Sequence, residues 1–101
     1  MTLPPLSAHA LKLVREVLHR HPDVRAAMLF GSRAKGTHTE RSDVDLVVIG
    51  DVPLLGAESI ATELDELPLP YRFDVQALGE ITHQELLEHI ERVGITIYQA
   101  Q

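Results

Sequence analysis

The sequence predicts an α/β chain of the α+β kind, a small mixed β-sheet covered by helices, and three observations carry that prediction. Apolar stripes at the 3/4 spacing of a helix alternate with short runs rich in β-branched residues, so helices and strands are interleaved. The link between the first two runs, Gly31 to Asp43, is polar and lacks a full crossover helix, which favours antiparallel or mixed pairing over an all-parallel sheet. At 101 residues the chain fits one domain, 1–101, with no room for a second core.

Each element has its own local cause. Pro4 and Pro5 precede Ser7, an N-cap candidate, after which Ala10, Leu11, Val14, Val17 and Leu18 form an amphipathic stripe that Pro22 ends. Val24 to Phe30 is a short apolar run stopped by Gly31 and reads as a buried strand. Val44 to Ile49 is a second, rich in β-branched residues. Beyond the Gly50-Asp51-Val52-Pro53 turn, Ala57, Ile60, Ala61, Leu64 and Leu67 mark another helix, closed by Pro68 and Pro70. Arg72 to Ala77 reads as a third strand. Thr82 with Glu85 has the pattern of a capping box, and the Leu86, Ile90, Val93 stripe carries the last helix to Gly94, the expected C′ residue. Ile95 to Tyr98 is expected as a short extended tail. No internal repeat, low-complexity tract or linker interrupts this order.

Composition narrows the function classes. Hydrophobic residues at 45% and charged residues at 24% argue against disorder. Phe30, Tyr71, Phe73 and Tyr98 are the only aromatic residues, so aliphatic side chains must build the core. The absence of cysteine excludes disulfides, thiolate metal sites and cysteine nucleophiles together. Fifteen acidic residues against nine basic ones give a net charge of -6, which argues against a broad grip on nucleic-acid phosphates. Met1 to Leu6 contain no basic stretch followed by an apolar run, and no segment approaches the roughly 20 apolar residues that span a bilayer. The expectation is a soluble, cytoplasmic protein with no membrane partner.

The chemistry concentrates in Gly31-Ser32-Arg33-Ala34-Lys35-Gly36 and Ser42-Asp43-Val44-Asp45-Leu46. Side chains at i and i+2 of a strand share a face, so Asp43 and Asp45 reach one side while Val44 and Leu46 pack on the other. Two carboxylates so placed repel one another, and a divalent cation with a preference for hard oxygen ligands, such as magnesium, offsets that repulsion. Asp74 interrupts the otherwise apolar third strand, where an unpaired charge is costly to bury, and metal coordination would resolve that cost. If the third strand lies beside the second, Asp74 completes a triad around one or two ions. Gly31 lets the backbone approach a phosphate, and Ser32 supplies a hydroxyl and an amide where a short helical turn begins. Gly31 to Gly36 is not a P-loop, because no Gly-Lys-Ser/Thr follows at the required spacing.

These two segments, five residues apart, resemble the signature of the polymerase-β-like nucleotidyltransferases, and the minimal single-domain branch in particular. The resemblance extends to Phe73-Asp74-Val75 and to the Ile90 to Tyr98 stretch, so it covers most of the chain. It implies that family's fold, with Asp43, Asp45 and Asp74 as catalytic carboxylates holding Mg2+ and Asp74 nearest the acceptor hydroxyl. It also implies Gly31, Ser32, Arg33, Lys35, Arg41 and Ser42 as the nucleotide-binding set. Lys35 stands where many relatives carry arginine, which keeps the charge and loses the bidentate fork. The resemblance further implies transfer of a nucleoside monophosphate, AMP from ATP, to a partner. Members of this branch are encoded beside a HEPN-domain toxin, which they bind as antitoxins.

Competing readings remain open at this stage. A non-catalytic nucleotide-binding antitoxin would neutralise its partner by complex formation, and a small-molecule nucleotidyltransferase of the antibiotic-modifying kind would need acceptor-binding structure that this chain lacks. Asp74 could instead be a strand-edge charge paired with Arg72 or Arg25. The six histidines (His9, His19, His21, His38, His83 and His89) show no metal-ligand spacing, and most are expected at the surface. Glu63, Asp65 and Glu66 read as solubilising charge, and Tyr98 as a packing residue.

Overall fold

The computed structural model describes residues 4–101; the first three residues of the Met1 to Leu6 segment read for a leader lie outside the described residues. Its elements are α1 (Ala8–His19), β1 (Val24–Phe30), the one-turn α2 (Gly31–Lys35), β2 (Val44–Gly50), α3 (Leu54–Asp65), β3 (Phe73–Ala77), a 3-10 turn (Leu78–Glu80), α4 (Gln84–Val93) and β4 (Ile95–Gln99). Ser7 caps α1 as its sequence position suggests, its Oγ accepting the Ala10 amide at 3.1 Å. β1 begins and ends at the predicted residues.

The four strands form a mixed sheet in the order β3-β2-β1-β4. The short polar link returns β2 antiparallel to β1, while the α3 crossover brings β3 parallel to β2. The expected tail is a strand: Ile95 to Gln99 pairs antiparallel with β1, because β1 would otherwise leave a row of amides and carbonyls unpaired in the middle of the molecule. Two helix-end expectations also change. The cap of α4 is His83 rather than Thr82, with no side-chain hydrogen bond, so the capping box does not form. Gly94 ends α4 but with φ -58°, outside the left-handed region; a β-carbon there would press on the Ile90 carbonyl and the Met28 side chain, so space rather than backbone freedom favours glycine.

The faces of the sheet are covered unequally. On one face Leu29, Val44, Leu46, Val48, Phe73 and Ala77 pack with Val14 and Leu18 of α1 and Ala57, Ile60 and Leu64 of α3. On the other, Phe30 and Val47 meet Ile90 of α4, with Met28, Leu78, Ile81 and Leu86 around them. Strand alternation sends Asp43, Asp45 and Asp74 to this second face. Asp45 is half-buried, and Asp43 and Asp74 are exposed.

The segment between α2 and β2 is held by Arg33. This side chain is 3% exposed. Its Nε and Nη2 donate to the Ser42 carbonyl at 3.2 and 2.9 Å, Nη2 also reaches the Thr39 and Glu40 carbonyls at 3.4 Å, and Nη1 donates to the Pro5 carbonyl at 3.0 Å. The guanidinium stacks on Tyr71, 4.6 Å from the ring centroid. Arg33 therefore points away from the phosphate role expected of it: a buried cation needs all its donors met, and backbone carbonyls meet them here. His38, also buried, donates from Nε2 to the Pro4 carbonyl at 3.0 Å and ties the same loop to the start of the chain.

Replacing Arg33 by methionine removes every one of these donors, and the unfolding free energy in urea is expected to fall by about 3 kcal/mol. Arg33→Lys, with a point charge in place of a fork, should recover less than half of the loss. A change below about 1 kcal/mol for Arg33→Met would show that the loop holds its shape without the clamp.

Candidate active site

The site is a row across the sheet. Phe30, the last residue of β1, is the register partner of Asp45 in β2, and Asp45 is the register partner of Asp74 in β3. Neighbouring strands lie about 4.8 Å apart, so the two carboxylates emerge side by side on one face. Asp43 precedes β2 and shares that face with Asp45. The three acidic residues and the glycine turn after Phe30 are thus brought to one end of the sheet.

Gly31 closes the row. Its φ is +70°, and a β-carbon on it would collide with the Asp45 carboxylate, so both the backbone conformation and the close approach require glycine. Ser32 follows in the first turn of α2, half-buried, and its carbonyl accepts the Gly36 and Thr37 amides. The Gly31 amide donates to Nε2 of His89 in α4 at 3.0 Å.

Of the cations expected near the phosphates, Lys35 and Arg41 are exposed, with no ion pair among the described residues. Arg33 is turned into the loop. Ser42 is engaged within the loop: its Oγ accepts the Thr39 amide at 2.9 Å, while its carbonyl serves Arg33. Asp74 forms no ion pair with Arg72 or Arg25 among the described residues; its Oδ1 accepts from Gln76 Nε2 at 3.4 Å.

Burial pushes the Asp45 carboxyl above the ordinary carboxylate range, and the neighbouring charges of Asp74 and then Asp43 push it further, against a smaller opposing effect of His89. Three like charges therefore crowd one spot, in oxygen donors suited to a hard divalent cation. The convergence is one of backbone register. Among the described residues no three acidic or histidine side chains are already drawn into a closed ligand set, and Asp43 and Asp74 are exposed.

Two residues near the site depart from their sequence readings. His89 faces the glycine turn rather than solvent, with its ring edge-on to Phe30 at 6.2 Å between centroids; its position three residues after Leu86, on the apolar stripe of α4, was the available signal. Asp65 accepts the Phe73 amide on Oδ1 at 3.1 Å and so fixes the start of β3, one residue before Asp74. Glu63 likewise pairs with His21 and Arg20 rather than standing free. His9, His19 and His83 are exposed as expected, and Tyr98 packs against the core.

Comparison with known proteins places the chain in a family. Residues 12–101 match the family model described as Polymerase beta, Nucleotidyltransferase. A protein of Haemophilus influenzae named "Probable protein adenylyltransferase MntA" is 28% identical over 98 residues, spanning 95% of this chain and 85% of that one. Among solved structures, a chain of a toxin-antitoxin crystal structure with AMP-PNP superposes with a TM-score of 0.75 at 21% identity, covering 90% of this chain and 74% of its own. A chain from the complex of tri-AMPylated Shewanella oneidensis HEPN toxin with MNT antitoxin gives 0.70 at 18% identity, covering 92% and 72%. At such identities the structural likeness shows a common fold. No helix among the described residues is long and apolar enough to cross a membrane. With the family model spanning residues 12–101, nearly the whole sequence, the chain belongs to the polymerase beta nucleotidyltransferase family.

Proposed function

We propose that this nucleotidyltransferase, acting as one cytoplasmic domain over residues 1–101, moves AMP from ATP to a hydroxyl of a partner HEPN-domain toxin and so serves as its antitoxin. The observation that carries the reading is the register that stands Asp45 beside Asp74, with Gly31 pressed against Asp45. The adenylyltransferase name of the Haemophilus relative and the AMPylated toxin in the Shewanella complex support the choice of AMP and of a protein acceptor. The net charge of -6 favours a protein over a nucleic acid as that acceptor.

In this reading Asp43, Asp45 and Asp74 hold one or two magnesium ions. When bound, magnesium supplies neutralisation of the triphosphate and activation of the acceptor hydroxyl. The chain's own groups do the rest. Gly31 admits the phosphates to the backbone, and Ser32 donates from its amide and hydroxyl. Lys35 and Arg41, exposed and without ion pairs among the described residues, reach the outer phosphates. Asp74 takes the proton as the acceptor oxygen bonds to the α-phosphorus, and the bond from that phosphorus to pyrophosphate breaks. Arg33 and Ser42 act from behind, by holding the loop that delivers Asp43.

Incubation with magnesium, labelled ATP and the HEPN partner tests the reading. Label is expected on the partner, and Asp43→Ala or Asp45→Ala is expected to lower its transfer at least about a hundredfold. Transfer at the parent rate by either variant would refute the assignment, and a stable complex that never takes label would favour sequestration instead.

The crowded carboxyl makes a second prediction. A carboxyl raised in the folded state lends stability below its unfolded pKa and loses that contribution as the pH rises through the folded value, so ionised Asp45 weakens the metal-free protein at neutral pH. Asp45→Asn should therefore melt above the parent at neutral pH without metal, with the gap closing as the pH falls toward the ordinary carboxylate range. Thermal melts across that range check it, and an unchanged or lower melting temperature at neutral pH contradicts it.

A further inference from the structure

Among the histidines, His89 alone reaches the row of functional groups. It lies on α4, between the sheet-facing Ile90 and Leu86, and its ring stands edge-on to Phe30 at an interplanar angle of 81°. Its Nε2 is 3.0 Å from the Gly31 nitrogen. A backbone N–H can only donate, so Nε2 accepts, and the neutral ring carries its proton on Nδ1. Gly31 is also the residue whose backbone is wedged against the Asp45 carboxylate and whose φ of +70° turns the chain from β1 into α2. One imidazole thus joins α4, the phosphate-side turn and the acidic row in a single chain of contacts. Without that acceptor the Gly31 amide would lose its hydrogen-bond tie to α4.

We propose that His89 is a positioning residue for nucleotidyl transfer: by accepting the Gly31 amide it fixes the glycine-serine turn against Asp45, and so sets the separation between the groups that hold the triphosphate and the carboxylates. The inference rests on the nucleotidyl-transfer reading of that row. The imidazole acts through Gly31, so its loss loosens the turn that grips ATP while the strand ladder keeps Asp45 and Asp74 in register.

Three measurements on the full chain test this. The 15N shifts of the His89 imidazole in the metal-free protein, at a pH where the ring is neutral, should report the Nδ1–H tautomer. His89→Leu, which keeps the contact with Phe30 and removes the acceptor, should raise KM for ATP on the order of tenfold with kcat little changed. His89→Gln, which can present Oε1 near the place of Nε2, should return KM to within roughly threefold of the parent. Circular dichroism and melting temperature establish that each variant is folded; if His89→Leu does not fold, the tautomer and the His89→Gln value decide. An Nε2–H tautomer, or a folded His89→Leu with KM at or below that of the parent, overturns the assignment while transfer by the parent stands. A parent chain that transfers no nucleotide overturns this inference and the reading beneath it together.

Discussion

The β-register through Phe30, Asp45 and Asp74 is the constraint on which the rest of the structure depends. β1 ends opposite the second residue of β2, so the glycine turn that follows β1 emerges beside Asp45. β3 enters parallel to β2 with Asp74 level with Asp45. A one-residue slip in either ladder would send an aspartate to the apolar face, where Val44, Leu46 and Phe73 are packed under α1 and α3. The core that makes the slip costly is therefore also what aligns the site.

Arg33 solves the problem this register creates. The chain must travel from Gly31 to Asp43 without a long helix or strand, and a loop of that kind has many carbonyls to satisfy. One guanidinium, placed over the Tyr71 ring, gathers the carbonyls of Pro5, Thr39, Glu40 and Ser42. A planar fork suits this task better than an ammonium, because its donors diverge at fixed angles. The loop then delivers Asp43 to its place and leaves Lys35 and Arg41 outward.

The second face of the sheet carries both apolar packing and the acidic residues. α4 packs Ile90 and Leu86 on Phe30 and Val47, and its His89 reaches the Gly31 turn beside Asp45. Asp45, half-buried beside Asp74 and Asp43, sits in an arrangement that raises its carboxyl, through burial first and the neighbouring charges second. Such crowding persists because the ladder and the clamp over-determine the backbone around it. Asp65, bonded to the Phe73 amide, and His89, bonded to Gly31, brace the two sides of the row.

What the sequence determined by itself was local. The extent of β1, the Ser7 cap and the shared face of Asp43 and Asp45 all follow from neighbours a few residues apart, where side-chain period and backbone sterics are decisive. The family signature was legible for the same reason, being two short segments at fixed spacing. Tertiary structure decided the placement of Asp74 level with Asp45, the inward turn of Arg33 onto the Ser42 carbonyl, the hold of His89 on Gly31, and the pairing of Ile95 to Gln99 as a fourth strand. Each depends on which distant partner satisfies a hydrogen bond or a charge. Spacing along the chain carries no record of that choice, because it is made only when strands and helices meet across the sheet.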